Sequence, residues 1–370
     1  MIFEPTTIAK MELSNRFVRS ATYDGMANRD GKVSQEQVAL YTALARGGVG
    51  LIVTGLTSVH TSGRISGFQN TIHDDGCKYG LERLVDSVHR HGARVALQLA
   101  HAGREAYKYQ AYRHSQAIAP SVITEDPYCE ASYRSMTEDE IAAIVRAFGD
   151  GARSARDAGF DAVQIHAAHA YLISQFLSPF TNRRIDRWGG SFENRSRFLH
   201  EIYLDVRAKV GPDFPVMIKI GVEDGFAGGL EFKDGCRMAV LCAQWGFDAL
   251  EISQGLRGKK YAQTEFRTAI NRPGRDAYFR NWCREVKSRV HVPVMMVGGL
   301  RNPALMDAVI RRGEADFVSL CRPLIREPDL IRRWQQDRKH KPACISCNLC
   351  FEALLDGRPL GCAVEAKNGH

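Results

Sequence analysis

The stretch Asp161–Phe198, DAVQIHAAHAYLISQFLSPFTNRRIDRWGGSFENRSRF, carries one unit of the fold together with a concentration of reactive side chains. Ala162 to Ile165 is an apolar run interrupted only by Gln164, which reads as a strand buried on both faces. His166 and His169 follow where that strand ends, then Tyr171, an apolar stretch, and a polar loop with the turn signal Gly189-Gly190. Glu193 then begins a helix. Two imidazoles and a phenol at the mouth of a strand suit carbonyl or proton-transfer chemistry. A lone histidine would read as locally hydrogen-bonded; this cluster, followed by so specific a loop, reads as a site.

The same rhythm of short apolar run and helical segment recurs along the chain. The strand candidates are Phe17–Ala21, Gly50–Thr54, Arg94–Leu99, Asp161–His166, Val216–Ile220, Ala249–Ser253, Val292–Val297 and Phe317–Leu320. Helical periodicity fills the intervals, as in Ser34–Arg46, Tyr79–His91 and Lys233–Trp245. The helix near Glu138–Ala158 starts with a capping box, Thr137 with Glu140 three residues on. Buried strands alternating with helices imply a parallel sheet, and eight units imply an α/β fold of the closed (β/α)8 TIM-barrel type. The competitor, a doubly wound sheet, lacks its G-x-G-x-x-G after the first strand. Met1–Ser14 is expected to form a small hairpin closing the opposite end. Long connections, Ala102 to Met136 and Gln254 to about Arg275, follow strand ends and should shape the substrate site. A charged stretch, Arg333–Pro342, leads into a cysteine cluster. The expected organisation is a barrel over 1–340 and a short cysteine-rich appendage over 341–370.

Bulk properties bound the function. The chain has 370 residues, 44% of them hydrophobic and 25% charged, as in soluble globular proteins. A net charge of +8 is modest at this length, and no basic run is interleaved with aromatics, so nucleic acid is not an expected partner. Met1–Leu13 lacks the pattern of a signal peptide, and no apolar run approaches bilayer length. Of ten cysteines, six are scattered and four fall between Cys344 and Cys362, which points to a metal site rather than disulfides. A cytoplasmic location is expected.

The block His166-Ala-Ala-His169-Ala-Tyr171-Leu172, Gln175-Phe176-Leu177-Ser178-Pro179, Asn182-Arg183-Arg184 and Gly189-Gly190-Ser191 with Glu193-Asn194-Arg195 closely resembles the signature of the Old Yellow Enzyme family. These are FMN-dependent oxidoreductases, and the likeness extends to the flavin domains of 2,4-dienoyl-CoA reductase and trimethylamine dehydrogenase. The resemblance implies FMN against Ser20, Ala21 and Thr22 after the first strand and Gly55 after the second. Tyr23 stands where other members carry cysteine or threonine, so the tuning of the flavin potential departs from both patterns. Gln98 matches the residue that pairs with the flavin pyrimidine edge. Lys219, a charge inside Val-Met-Ile-Lys-Ile, must meet an anion. The family places it beside flavin N1–C2=O, and a structural salt bridge is the other reading. Gly298 and Gly299 after strand seven, with Cys321 and Arg322 after strand eight, correspond to the phosphate site.

In the family, the residues matching His166 and His169 hydrogen-bond the carbonyl of an α,β-unsaturated substrate, and the one matching Tyr171 protonates the α-carbon. The implied function is an NADH- or NADPH-driven ene-reductase acting on a small enone or enoyl substrate. The alternative is a dehydrogenase of an amine or similar donor. Cys344-Ile-Ser-Cys347-Asn-Leu-Cys350 and Cys362 resemble a [4Fe–4S] site; zinc and free thiols remain open. In that alternative, electrons would leave through the cysteines to a separate partner protein. Family members often form dimers or larger assemblies, so a homo-oligomer is expected.

Overall fold

The computed structural model describes residues 1–107, 117–129, 132–272 and 274–368. Its strands are β1 (Phe17–Arg19), β2 (Leu51–Val53), β3 (Arg94–Ala100), β4 (Ala162–Ala167), β5 (Val216–Gly221), β6 (Ala249–Ser253), β7 (Val294–Met296) and β8 (Phe317–Leu320). Every pairing between neighbours is parallel, and β8 returns to β1 through Leu320 opposite Arg19, closing the barrel. The barrel read from the sequence is present, with each strand at its expected place. Pairing in β7 begins only at Val294, because Pro293 just before it has no N–H to donate.

Helices α1 (Gln35–Arg46), α2 (Lys78–His89), α3 (Glu138–Asp157), α4 (Phe192–Val210), α5 (Phe232–Trp245), α6 (Arg280–Lys287), α7 (Pro303–Arg311) and α8 (Leu330–Gln336) surround it. The box that opens α3 is reciprocal. Thr137 Oγ1 accepts from the Glu140 amide at 3.2 Å, and Glu140 Oε2 accepts from the Thr137 amide at 2.9 Å. The main core lies between barrel and helices, where Leu99, Ile165, Ile218 and Ile252 meet Phe148, Phe198, Val206 and Met306.

The barrel interior has a second, smaller core: Val18, Leu51, Ala96, Ala162, Met217, Ala249, Met295 and Phe317. Alanines on three strands leave room for the larger side chains opposite. An antiparallel hairpin, Thr6–Ile8 with Met11–Leu13, pushes Ile8, Met11 and Leu13 against this layer, as expected of Met1–Ser14. The bottom of the barrel is therefore dry and sealed, and chemistry is confined to the other end. Part of the Ala102–Met136 connection (108–116 and 130–131), and 273 within the second, lie outside the described residues. At the C-terminus, Phe351 stacks on Phe266 at 4.6 Å and the Leu360 amide donates to Asp24 O at 2.7 Å, so that segment rests on the open end. Among the described residues no helix is long and apolar enough to cross a membrane.

Thr137→Ala removes half of the box opening α3. A loss of about 1 kcal/mol is expected, read as a lowered urea midpoint; an unchanged midpoint would show that the cap is redundant.

Candidate active site

Above the dry layer, the barrel interior turns polar in a single step. Gln98 Nε2 donates to Gln164 Oε1 at 2.8 Å, and Gln164 Nε2 donates to Glu251 Oε2 at 3.0 Å. The same Glu251 oxygen lies 3.3 Å from Lys219 Nζ, which donates to Ser20 Oγ at 2.7 Å. This chain of contacts crosses β3, β4, β5 and β6 to the end of β1. Lys219 is 2% exposed and Glu251 0%, so each charge depends on the other. Lys219 thus forms a buried ion pair and also borders the cavity above.

That cavity is bordered by Ser20, Ala21, Thr22, Gln98, Lys219, Gly298, Gly299, Cys321 and Arg322, and by His166, His169 and Tyr171. The sequence-derived residues therefore converge, with one exception. Gly55 lies a layer behind: its amide donates to Tyr41 Oη at 2.8 Å, and a Cβ there would come 2.8 Å from Thr22 O. It supports the Thr22 backbone rather than facing the cavity. Gly298 and Gly299 hold positive φ (105° and 79°), and Cβ atoms would meet the Tyr278 ring at 2.6 Å and Ile270 at 2.8 Å. Only glycine leaves that floor open. Thr22 Oγ1 lies 3.1 Å from Cys321 Sγ and accepts from Arg19 at 2.6 Å. Burial raises the Cys321 pKa, but Arg19, the Thr22 contact and Arg322 together outweigh it and leave the thiol below its usual value.

The histidine pair is set by a strained turn. His169 and Ala170 both adopt left-handed backbone, φ 60° and 65°, at roughly 1–2 kcal/mol each for non-glycine residues. Their amides donate to Gln254 O and Gly255 O at 3.0 and 3.1 Å, so the loop after β6 holds the turn. The turn brings Tyr171 back edge-on to His166, with ring centroids 4.8 Å apart; the His166 and His169 rings are 5.0 Å apart. Hydrogen bonding selects the tautomers. The Ala168 amide donates to His166 Nδ1 at 3.3 Å, which places that ring's proton on Nε2. His169 Nε2 is 2.8 Å from Ser253 Oγ, and its Nδ1 is 3.8 Å from Glu265 Oε1. A carboxylate on that side favours Nδ1–H, with the Ser253 hydroxyl donating to Nε2. His166 then keeps its Nε2–H for a ligand, while His169 lies between Ser253 and Glu265.

Burial, with help from Lys219 and Arg257, pushes both histidines well below their usual pKa, and burial pushes the Tyr171 phenol up to about 12. The site thus holds neutral donors at neutral pH. Above them Arg257 pairs with Glu265 at 2.6 Å and Glu105 at 3.7 Å, its guanidinium 5.7 Å from the Tyr171 ring centroid. Sequence reading missed Glu251, Ser253, Arg257 and Glu265. Glu251 had a signal, a charge inside an apolar strand; Ser253 ends the same strand without a charge to mark it, and Arg257 and Glu265 sit in a loop where no periodicity exists.

Cys344, Cys347, Cys350 and Cys362 border one small separate cavity, and Cys350 borders the larger one as well. Burial, with Cys321, Cys344 and Cys347 nearby, pushes the Cys350 thiol up to about 12. Among the described residues no three histidine, cysteine or acidic side chains meet closely enough to hold a single metal ion.

The NADH:flavin oxidoreductase / NADH oxidase family matches residues 1–341. The chain belongs to it, and so to the FMN-dependent oxidoreductases of the Old Yellow Enzyme family. NADPH dehydrogenase of Geobacillus thermodenitrificans is 38% identical over 331 residues, covering 89% of this chain and 92% of that protein. NADH oxidase of Thermoanaerobacter brockii is 34% identical over 354 residues, 94% of this chain but 53% of its own length. Among solved structures, the 2-naphthoyl-CoA reductase complex with 2-naphthoyl-CoA aligns with a TM-score of 0.89 at 26% identity, covering 98% of this chain and 56% of that one. The chain thus spans about half the length of two of these three proteins.

Lys219→Met strands Glu251 as an unpaired buried charge and should cost about 3–5 kcal/mol in urea unfolding; replacing both by Met and Leu should recover most of it. A mild single variant would show that the pair does not carry the layer. The buried histidines also set an acid limit. Burial lowers His101 to about 3, whereas an unfolded chain protonates its histidines near 6.5. Their contribution is intact above about pH 6.5 and lost as pH falls toward the folded values, so the urea midpoint should decline below 6.5. His101→Gln should make that decline shallower.

Proposed function

We propose that the protein is an ene-reductase that reduces the C=C bond of α,β-unsaturated carbonyl compounds, with NADH or NADPH as the hydride source. The observation that carries this reading is the pair of buried, neutral imidazoles bordering the cavity beside the Tyr171 phenol. FMN bound in the cavity would supply the hydride that reaches the β-carbon of the substrate. Everything else falls to this chain's residues. Gln98, Lys219 and Ser20 would hold the polar edge of the ring, and Lys219 would favour negative charge there. Gly298, Gly299 and Arg322 would take the phosphate. His166 Nε2–H and His169 Nδ1–H would hold the carbonyl oxygen and stabilise the enolate charge that develops on it. Tyr171 would deliver the proton to the α-carbon, completing addition of one hydride and one proton.

The spacing Cys344-x2-Cys347-x2-Cys350, with Cys362 beyond, favours a [4Fe–4S] cluster, with zinc or free thiols as the other outcomes. Iron and sulfide content after anaerobic purification tests this. The bordering of both cavities by Cys350 favours a second reading: oxidation of an amine or similar donor, with electrons leaving through the cysteines to a separate acceptor protein.

The deciding experiment is anaerobic. Flavin reduced with stoichiometric dithionite is mixed with a cyclic enone. Return of the oxidised flavin bands is expected, slowed at least about 100-fold in His166→Ala/His169→Ala with flavin still bound. Flavin that stays reduced until a one-electron acceptor is added would overturn the ene-reductase reading in favour of the dehydrogenase. With both imidazoles neutral and Tyr171 protonated, the reoxidation rate should be flat between about pH 6 and 9. An inflection near 6.5 would mean that a charged imidazole takes part.

A further inference from the structure

Asn348 lies inside the cysteine loop, between Cys347 and Cys350, yet its side chain is committed to the flavin cavity. It is 1% exposed and borders both cavities. Its backbone is left-handed, φ 67°, and its carbonyl accepts the amides of Phe351 and Glu352 at 2.8 and 3.1 Å, starting the short helix Leu349–Leu355. Asparagine is among the few side chains that tolerate this backbone. Both ends of its amide are used. Nδ2 donates to Phe266 O at 2.6 Å, and Oδ1 accepts from Arg322 Nη1, which also donates to Arg267 O at 2.8 Å.

Those contacts fix the plane of the Arg322 guanidinium. A fork of N–H groups recognises a phosphate through its plane, so an arginine held in place loses less freedom when the anion arrives. The grip depends on a loop that is costly to form, because Ser346 is left-handed as well, with φ 59°. On the other side of that loop, Arg326 Nη1 donates to Cys362 Sγ at 3.2 Å, and Cys344, Cys347, Cys350 and Cys362 face their own cavity. Whatever closes the four thiols together would hold Asn348 against Arg322.

We infer that Asn348 is a cofactor-positioning residue through which the state of the cysteine site sets the affinity for the phosphate of FMN. The inference rests on the reading that Arg322 and the two glycines take that phosphate. No electron or proton moves in this coupling; only the loop's conformational freedom changes.

The test titrates flavin-free protein with FMN and with riboflavin, which lacks the phosphate, following flavin fluorescence. Arg322→Ala checks the underlying reading and should weaken FMN alone; an unchanged FMN affinity would show that the phosphate lies elsewhere. Given that result, Asn348→Ala should raise the FMN dissociation constant roughly tenfold, about 1.4 kcal/mol, and leave riboflavin unaffected. Cys347→Ser, at an exposed thiol that does not border the flavin cavity, should do the same. Wild-type FMN affinity in Asn348→Ala would overturn the positioning role. Weakened FMN in Asn348→Ala with no change in Cys347→Ser would overturn the coupling. Equal losses for FMN and riboflavin would show general damage to the barrel and also overturn it.

Discussion

The ion pair between Lys219 and Glu251 is the constraint on which the open end of this barrel depends. A charge of either sign alone in the barrel interior would cost several kcal/mol, so the strands carrying the two residues must keep their register. Lys219 stands opposite Glu251 across β5 and β6, and opposite His166 across β4 and β5. A one-residue slip on either side would separate the charges and turn His166 from the cavity. The glutamine relay from Gln98 through Gln164 extends the same requirement to β3. Packing of the alanine-rich layer below makes a barrel; the polar layer makes it this barrel, with a fixed rotational setting of the residues at its rim.

The rim itself is built by cross-bracing between loops. The left-handed turn at His169 and Ala170 is unfavourable by itself and survives because two carbonyls of the next-but-one loop accept its amides. That same loop supplies Arg257 and Glu265, and strand β6 just before it supplies Ser253. The carbonyls that hold the turn and the groups that flank the His169 ring thus come from β6 and the connection after it. A change in that connection would be felt at the imidazoles before it reached the barrel.

Much of this was legible in the sequence, for definable reasons. The eight strands were visible because buried parallel strands read as unbroken apolar runs, and helix starts such as Thr137–Glu140 announce themselves by local hydrogen-bonding chemistry. Lys219 stood out because a charge in such a run needs a reason. Glu251, within Ala-Leu-Glu-Ile-Ser, obeys the same logic and was its missing partner. Arg257, Glu265 and Asn348 were not legible. Their roles depend on which loops approach one another above the barrel, and loop contacts leave no periodic trace. Gly55 fell between these cases: the need for a glycine was real, but it comes from close approach to Thr22 rather than to a ligand.

The arrangement also explains how histidines can stay uncharged among so many ions. Below them Lys219 is balanced by Glu251; above them Arg257 is balanced by Glu265 and Glu105. Each cation is close enough to the imidazoles to oppose their protonation, and each carries its own counter-ion, so none demands a compensating charge from the histidines. Burial does the rest. The result is a pair of N–H donors whose strength does not follow solvent pH, set between two ion pairs that are already satisfied. On the proposed ene-reductase reading, such a site would receive negative charge on a substrate oxygen without first having to shed a partner, which is the condition for stabilising an enolate as it forms.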